Sequence, residues 1–349
     1  MPPPLARAST AKQSGRILLI PHGSGPQVCA QHKLSGHLDR NWQVLAASFI
    51  PPHYLTRSAA KAAVAYHTEC LPDAFFDHRK AKDGRARLRA IEARVLRELS
   101  ASRFKGPVFL NSLRCYGFPH SAAAWAFPKL WSEQSHFFRV CGQHDARVPL
   151  QRSLYLPYFD AFVHSNRTVS PFRRRAVRVL FIGSALEVRS SFITAMGRTP
   201  GARLFLIKRG EPLPSLASSE RLVHSTAAHA FFLDEMSTSR YVACPPGDTP
   251  ESRRIYQAIQ MGAIPLVNAD VYLTPALNWS SFAYPLHYTA NRTIALPSAE
   301  TERALIRGLG KAQARLLSLH VWGEFIARNM LSLAANHSAH QHAGLLHAE

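Results

Sequence analysis

The stretch from Tyr241 to Asn268, YVACPPGDTPESRRIYQAIQMGAIPLVN, restricts the fold more than any other part of the chain. Two short apolar runs, Tyr241 to Cys244 and Ala263 to Asn268, flank a segment of helical periodicity from Pro250 to Met261. Pro245-Pro246-Gly247-Asp248 breaks the first run. Thr249 is placed to cap the helix, and Pro250 fits its first position, where a missing N–H costs nothing. Ile255, Ala258, Ile259 and Gly262 recur at helical spacing and predict one packed face, and Gly262 suits a left-handed cap at the helix end. Strand, helix and strand in this order predict a βαβ unit in a parallel sheet.

The same alternation reaches upstream. Val177 to Gly183 reads as a buried strand, Ser184 to Arg189 as a turn into a helix through Met196, Arg203 to Lys208 as a strand, and Ala227 to Met236 as a helix. These elements together predict a Rossmann-like unit. Nearer the start, Arg16 to Pro21 reads as a strand ended by the turn His22-Gly23-Ser24-Gly25, and apolar runs follow at Val44 to Phe49, Val108 to Asn111 and Phe137 to Cys141. A length of 349 residues suits two α/β domains. The expected organisation is a disordered segment over 1–15, a Rossmann-like domain over 16–165, a linker over 166–176, a second Rossmann-like domain over 177–300, terminal helices over 301–335 and a His-rich flexible tail over 336–349. The terminal helices are candidates to cross back to the first half. No internal repeat is visible, which sets aside solenoids and propellers.

The formal net charge is +20, from 42 Lys and Arg against 22 Asp and Glu, so the surface attracts anionic partners. Within the helix read over Arg85 to Ser100, Leu88, Ile91, Val95 and Leu99 keep one stripe apolar, while Arg87, Arg89, Arg94 and Arg97 are read as solvated. The run Arg173-Arg174-Arg175 is read as part of a solvated linker. The five cysteines, Cys29, Cys70, Cys115, Cys141 and Cys244, form no CxxC pair, which argues against a zinc site; one or two disulfides stay open. Four Asn-x-Ser/Thr sequons, at Asn166, Asn278, Asn291 and Asn336, permit glycosylation in a secretory lumen. No apolar stretch is long enough to span a membrane, and neither a signal nor an anchor is visible in the chain as written.

At the start of the helix after Cys244, Ser252, Arg253 and Arg254 gather where free N–H groups and the helix dipole already favour negative charge. This predicts a diphosphate site at the carboxyl edge of the second sheet. The segment CPPGDTPESRRIYQAIQMGAIPLV resembles the C-terminal signature of the exostosin family, glycosyltransferase family 47, in Cys244, Pro246, Gly247, Asp248, Thr249, Ser252, Arg253, Arg254, Gly262, Ile264 and Pro265. Weaker likenesses are His136-Phe137-Phe138 with His144-Asp145, Leu156-Pro157-Tyr158, the Phe-x-Gly…Arg element between Val179 and Arg189, and Asn278 to Phe282.

The resemblance implies an α/β fold of GT-B type, with two Rossmann-like domains facing a cleft. It also implies a UDP-sugar held by the C-terminal half, a polysaccharide or glycoprotein glycan acceptor at the N-terminal half, inversion at the anomeric carbon, and residence in the Golgi. Arg189, Ser252, Arg253 and Arg254 would bind the donor diphosphate, with Gly247, Asp248 and Thr249 shaping the loop beside it. His144 and Asp145 are the candidate catalytic pair, with Asp145 as the base. No metal or other cofactor is expected, because the chain has no Asp-x-Asp and arginines can neutralise the leaving group. Nucleic acid is not an expected partner. The alternative is a non-enzymatic basic polyanion-binding protein or an inactive relative of the family.

Overall fold

The computed structural model describes residues 15–20, 50–111, 125–130, 135–140, 153–156, 169–207, 226–246, 252–268, 278–288, 293–316 and 323–335. The apolar run Val44 to Phe49 lies outside them, as do the His-rich tail and, Gly15 apart, the lead-in 1–15.

Two parallel sheets organise the chain. The first contains β1 (Arg16–Ile20), β2 (Leu55–Thr56), β3 (Ala62–Cys70), β4 (Val108–Asn111), β5 (Ser135–Val140) and β6 (Ser153–Leu156), in the spatial order β2-β1-β3-β4-β5-β6. The second contains β7 (Val177–Ser184), β8 (Ala202–Ile207), β9 (Ser239–Cys244), β10 (Ile264–Val267) and β11 (Tyr284–Pro285), in the order β11-β10-β9-β7-β8. Every strand pair is parallel. Two α/β units of this kind are the layout expected of a GT-B chain. Strands of a parallel sheet are covered on both faces, which is why β9 and β10 read as unbroken apolar runs and are buried along almost their whole length.

Helices complete the layers: α1 (Leu71–His78), α2 (Gly84–Ala101), α3 (Ser190–Arg198), α4 (Thr226–Ser237), α5 (Arg253–Gln260), α6 (Ala299–Leu316) and α7 over 323–335. Phe192 and Met196 of α3, Phe232 and Met236 of α4, Ile255 and Ile259 of α5, and Leu305 and Leu309 of α6 share one core with β7, β9 and β10. Each large side chain buried there contributes roughly 1.5–3 kcal/mol. The two terminal helices part company. Whereas α6 belongs to the second sheet, α7 places Ile326, Met330 and Leu331 against Ile17, Val64, Tyr66 and Phe109 of the first. The Glu324 carboxylate accepts from the Tyr54 hydroxyl at 2.9 Å and fixes that crossing.

Several sequence expectations change. Strand β3 and helix α1 carry no element in the sequence reading, because the polar residues His67, Thr68 and Glu69 interrupt the apolar run. The helix after Cys244 begins at Arg253, three residues later than Pro250, because Ser252 is still extended (φ −101°, ψ 137°) and its hydroxyl caps the helix. Its burial is wider than one face, since Tyr256 and Gln257 are buried along with Ile255, Ala258 and Ile259. Gly262 is left-handed, φ +64°, as a helix C-terminal cap requires.

Arg175 is not solvated. Its guanidinium is buried, donates to the Ser170, Ser239 and Met261 carbonyls at 3.0, 2.8 and 2.9 Å, and lies over the Phe172 ring. A Cβ on Gly262 would stand 3.0 Å from it, so the glycine leaves room for the arginine. Burial lowers Arg175 to about 10, which still leaves it charged at neutral pH beside the C-terminal carbonyls of α5, where a cation is favoured. Replacing Arg175 with Met strips three buried carbonyls of their donor. The expected cost is on the order of 3 kcal/mol, read as a lower urea midpoint at unchanged slope. An unchanged midpoint would show that this arginine does not hold β9 and α5 together.

Candidate active site

In an open parallel sheet the ligand crevice lies outside the carboxyl ends of the two strands where the winding direction reverses. In the second sheet these are β7 and β9, since β8 lies on one side of β7 and β9 on the other. Arg189 spans their ends. Its Nε donates to the Pro246 carbonyl just past β9 at 2.9 Å, and its guanidinium donates to the Ser184 carbonyl at the end of β7 at 3.1 Å. The same group lies 5.6 Å from the centre of the Phe181 ring. Gly183 makes this possible, because a Cβ there would stand 2.7 Å from the Phe181 ring and 3.4 Å from the guanidinium. The spacing Phe181-x-Gly183…Arg189 is therefore a packing requirement: a ring, a gap and a cation folded onto each other.

The second wall is the start of α5. The Ser252 hydroxyl accepts from the Arg254 backbone N–H at 3.3 Å. Arg253 is the first helical residue. The Arg254 guanidinium sits 3.8 Å from the centre of the Phe232 ring of α4 and donates to the Gln257 side-chain oxygen. Ring and amide hold the charge at the mouth of the helix, at a surface only partly exposed.

Cys244 is the last residue of β9. Burial pushes its thiol well above the ordinary range, and the charges of Arg254 and then Arg189 pull it partly back. Of the four diphosphate-binding candidates, Arg189 lies at the carboxyl ends of β7 and β9, and Ser252, Arg253 and Arg254 lie at the start of the helix that follows β9. Gly247, Asp248 and Thr249, like His144 and Asp145, lie outside the described residues.

The first sheet reverses between β1 and β3. The carboxyl end of β3 carries a bulge, with His67 opposite Leu110 and Cys70 opposite Asn111. Glu69 stands in that bulge. Its backbone N–H donates to His67 Nδ1 at 3.1 Å, which leaves Nε2 to carry the proton toward the Glu98 carboxylate at 2.9 Å. The Glu69 carboxylate accepts from Arg94 at 2.7 Å. Arg94 is therefore an ion-pair partner and not the solvated residue expected from its place off the apolar stripe. Glu92, which is not on the apolar stripe, is buried too, and accepts from Arg89 at 3.0 Å and from the Lys129 and Leu130 backbone N–H groups at 2.6 and 3.0 Å. The available signal was the polar pair at His67 and Glu69, which a two-residue strand period puts on one face.

Cys244 is free. In the native protein its alkylation is expected to be on the order of 100-fold slower than after unfolding, because the thiol is both buried and neutral. Peptide mapping of labelled cysteines at pH 8 checks this; prompt native labelling would mean that the end of β9 is open to solvent.

Comparison with known proteins adds the chemistry. Residues 120–291 match the Exostosin GT47 domain, a span that contains all of the crevice around β7, β9 and α5. No curated protein matches the chain. Among solved structures, sucrose-phosphate synthase from Thermosynechococcus elongatus is 11% identical, covers 96% of this chain and 100% of its own, and superposes with a TM-score of 0.35. Anabaena HepE in complex with UDP is 10% identical over 96% of this chain and 100% of its own, with a TM-score of 0.35. A glycosyltransferase from Rickettsia africae is 8% identical over 95% and 99%, with a TM-score of 0.34. Superpositions this loose fix no residue of the site. Among the described residues no helix is long and apolar enough to cross a membrane.

Proposed function

With an exostosin GT47 domain over residues 120–291, the chain is a member of a glycosyltransferase family, and we propose that it is an inverting enzyme that moves a sugar from a UDP-sugar to a polysaccharide or glycoprotein glycan. The observation that carries this reading is the bridge by Arg189 across the carboxyl ends of β7 and β9, with Arg254 held beside it at the mouth of α5.

The donor's diphosphate occupies that crevice. Arg189 and Arg254 face the two phosphates, Arg253 is the further candidate to bind them, and the N–H groups of the first turn of α5 add their dipole. Gly247, Asp248 and Thr249 are the candidates to shape the loop of the donor site. In the reaction an acceptor hydroxyl oxygen bonds to the anomeric carbon from the face opposite the diphosphate. The bond from that carbon to the phosphate oxygen breaks, and its electron pair leaves with UDP. Guanidinium groups already in place stabilise the charge that builds on the leaving oxygen, so no divalent cation has to do so. The hydroxyl proton passes to a base, for which Asp145 beside His144 is the candidate. Kinship with the family supports residence in the Golgi as part of this reading.

Arg254→Ala is expected to lower UDP release from UDP-sugar by roughly 100-fold or more, the usual effect of deleting one group that stabilises a leaving anion. It removes a cation–π contact, worth about 1 kcal/mol, and the bond to the buried Gln257 side-chain oxygen, worth a similar amount, so some stability is lost while the fold should persist. A panel of UDP-sugars with glycan acceptors, read as UDP released, measures this, and UDP should raise the melting temperature of the wild type. Full turnover in the Arg254 variant would remove that residue from the site; the absence of any UDP protection would remove the donor assignment.

A further inference from the structure

The last residues of β3 are unusual for a strand inside a parallel sheet. β3 lies between β1 and β4, and its Val64, Ala65 and Tyr66 are wholly buried. His67, Thr68 and Glu69 follow, and the pairing with β4 is interrupted between His67 and Cys70. Polar groups in such a place cost desolvation unless they are bonded. Four side chains are committed to bonding them. His67 Nδ1 accepts from the Glu69 backbone N–H at 3.1 Å and its Nε2 meets Glu98 at 2.9 Å, while the Glu69 carboxylate accepts from Arg94 at 2.7 Å. Apolar residues of similar volume would hold strand and helix together at least as well, because a buried ion pair seldom stabilises more than they do. Packing alone therefore does not account for Glu69.

Arg94 adds a second observation. It grips Glu69 through one terminal nitrogen, where a guanidinium commonly holds a carboxylate with two parallel bonds. Its Nε is buried without a hydrogen-bond partner. Buried donors are nearly always satisfied, so this one marks an ion pair that is not built for stability. The Arg94 side chain is 37% exposed and that of Glu69 10%, so the pair is covered at the carboxylate and open at the guanidinium.

The place is that of a ligand site. Ile20, the last residue of β1, stands opposite His67, so Glu69 lies two residues beyond the end of β1 on the strand beside it. This is the reversal point of the first sheet, where α/β units bind their ligands, and where dinucleotide-binding units use a carboxylate to hold a ribose hydroxyl. A carboxylate only accepts hydrogen bonds and has about four sites for them, a guanidinium only donates, and a sugar hydroxyl does both. The two side chains together are thus complementary to hydroxyl groups on adjacent carbons of a sugar ring.

We propose that Glu69 and Arg94 bind the acceptor sugar through its ring hydroxyls. Hydroxyl groups donate to the Glu69 carboxylate, and their oxygens accept from Arg94. His67 and Glu98 are positioning residues that act through the bulge, since the His67 ring fixes the Glu69 backbone. The proposal rests on the glycosyltransferase reading and supplies that enzyme with acceptor-binding residues in the first half of the chain.

The test uses the full chain and the UDP-sugar and glycan pair that gives the fastest UDP release in the panel. Glu69→Gln keeps the size of the side chain and an oxygen for Arg94, but removes the charge. The expected result is an acceptor KM raised about tenfold, with unchanged kcat, unchanged UDP release to water in the absence of acceptor, and unchanged protection by UDP against unfolding. Arg94→Lys, which keeps a charge opposite Glu69 and removes the fork, raises the acceptor KM severalfold, and decides the matter if the Glu69 variant does not fold. An unaltered acceptor KM overturns the proposal. So does a parallel loss of acceptor use, release to water and UDP protection, which marks a purely structural pair, and so does a fall in kcat at constant KM. A loss of UDP protection alone assigns the hydroxyls to the nucleotide ribose and overturns it as well. A wild type that turns over no pair and gains no protection from UDP overturns the enzyme reading itself, and this proposal with it.

Discussion

One guanidinium joins the two strands that define the crevice. Arg189 donates to one backbone carbonyl at the carboxyl end of each, Ser184 on β7 and Pro246 just past β9. With that bridge in place the Phe181 ring is covered and Gly183 has no room to change. The start of α5 then lies next to a fixed positive charge. Arg254 adds a second, tethered to Phe232 and Gln257 instead of moving freely in water. Two arginines locked by carbonyls, rings and an amide are preorganised, so the donor site proposed for them needs little rearrangement to take an anion.

The opposite edge of the same sheet is also held by an arginine, with a different logic. Arg175 is buried, and its three carbonyl partners carry no formal charge. It ties the segment before β7 to the start of β9 and to the end of α5. Gln313 of α6 adds a bond to the Ile259 carbonyl at 2.8 Å. Both ends of α5 are thereby anchored, one by the Ser252 cap and one by Arg175 and Gln313. A helix fixed at both ends keeps its N-terminal charges in register with Arg189.

In the first half, charge is used at three depths. His67 and Glu98 brace the bulge of β3, Glu69 and Arg94 tie strand to helix, and Glu92 carries the turn below Trp125. In the outermost layer, the exposed Arg79 and Arg85 lie over the Phe75 and Trp125 rings. The large positive charge of the chain is thus not spread evenly in role: some cations are structural ties and others are surface.

The order of strands and helices in the second half was written in the sequence, because buried parallel strands have to be short apolar runs and the helices between them carry turns of recognisable chemistry. The glycine that ends α5 and the arginines that begin it were equally legible, as was the family signature around them. The partners of the arginines were not. Arg94, Arg175 and Arg189 look alike as letters in a basic chain, yet one meets a carboxylate, one is buried among carbonyls and one bridges two strand ends. Those partners lie 25, 64 and 57 residues away for the Glu69, Ser239 and Pro246 contacts. Periodicity reports which face of an element is apolar. Only the packing of elements distant in sequence decides what a polar side chain on that element will meet.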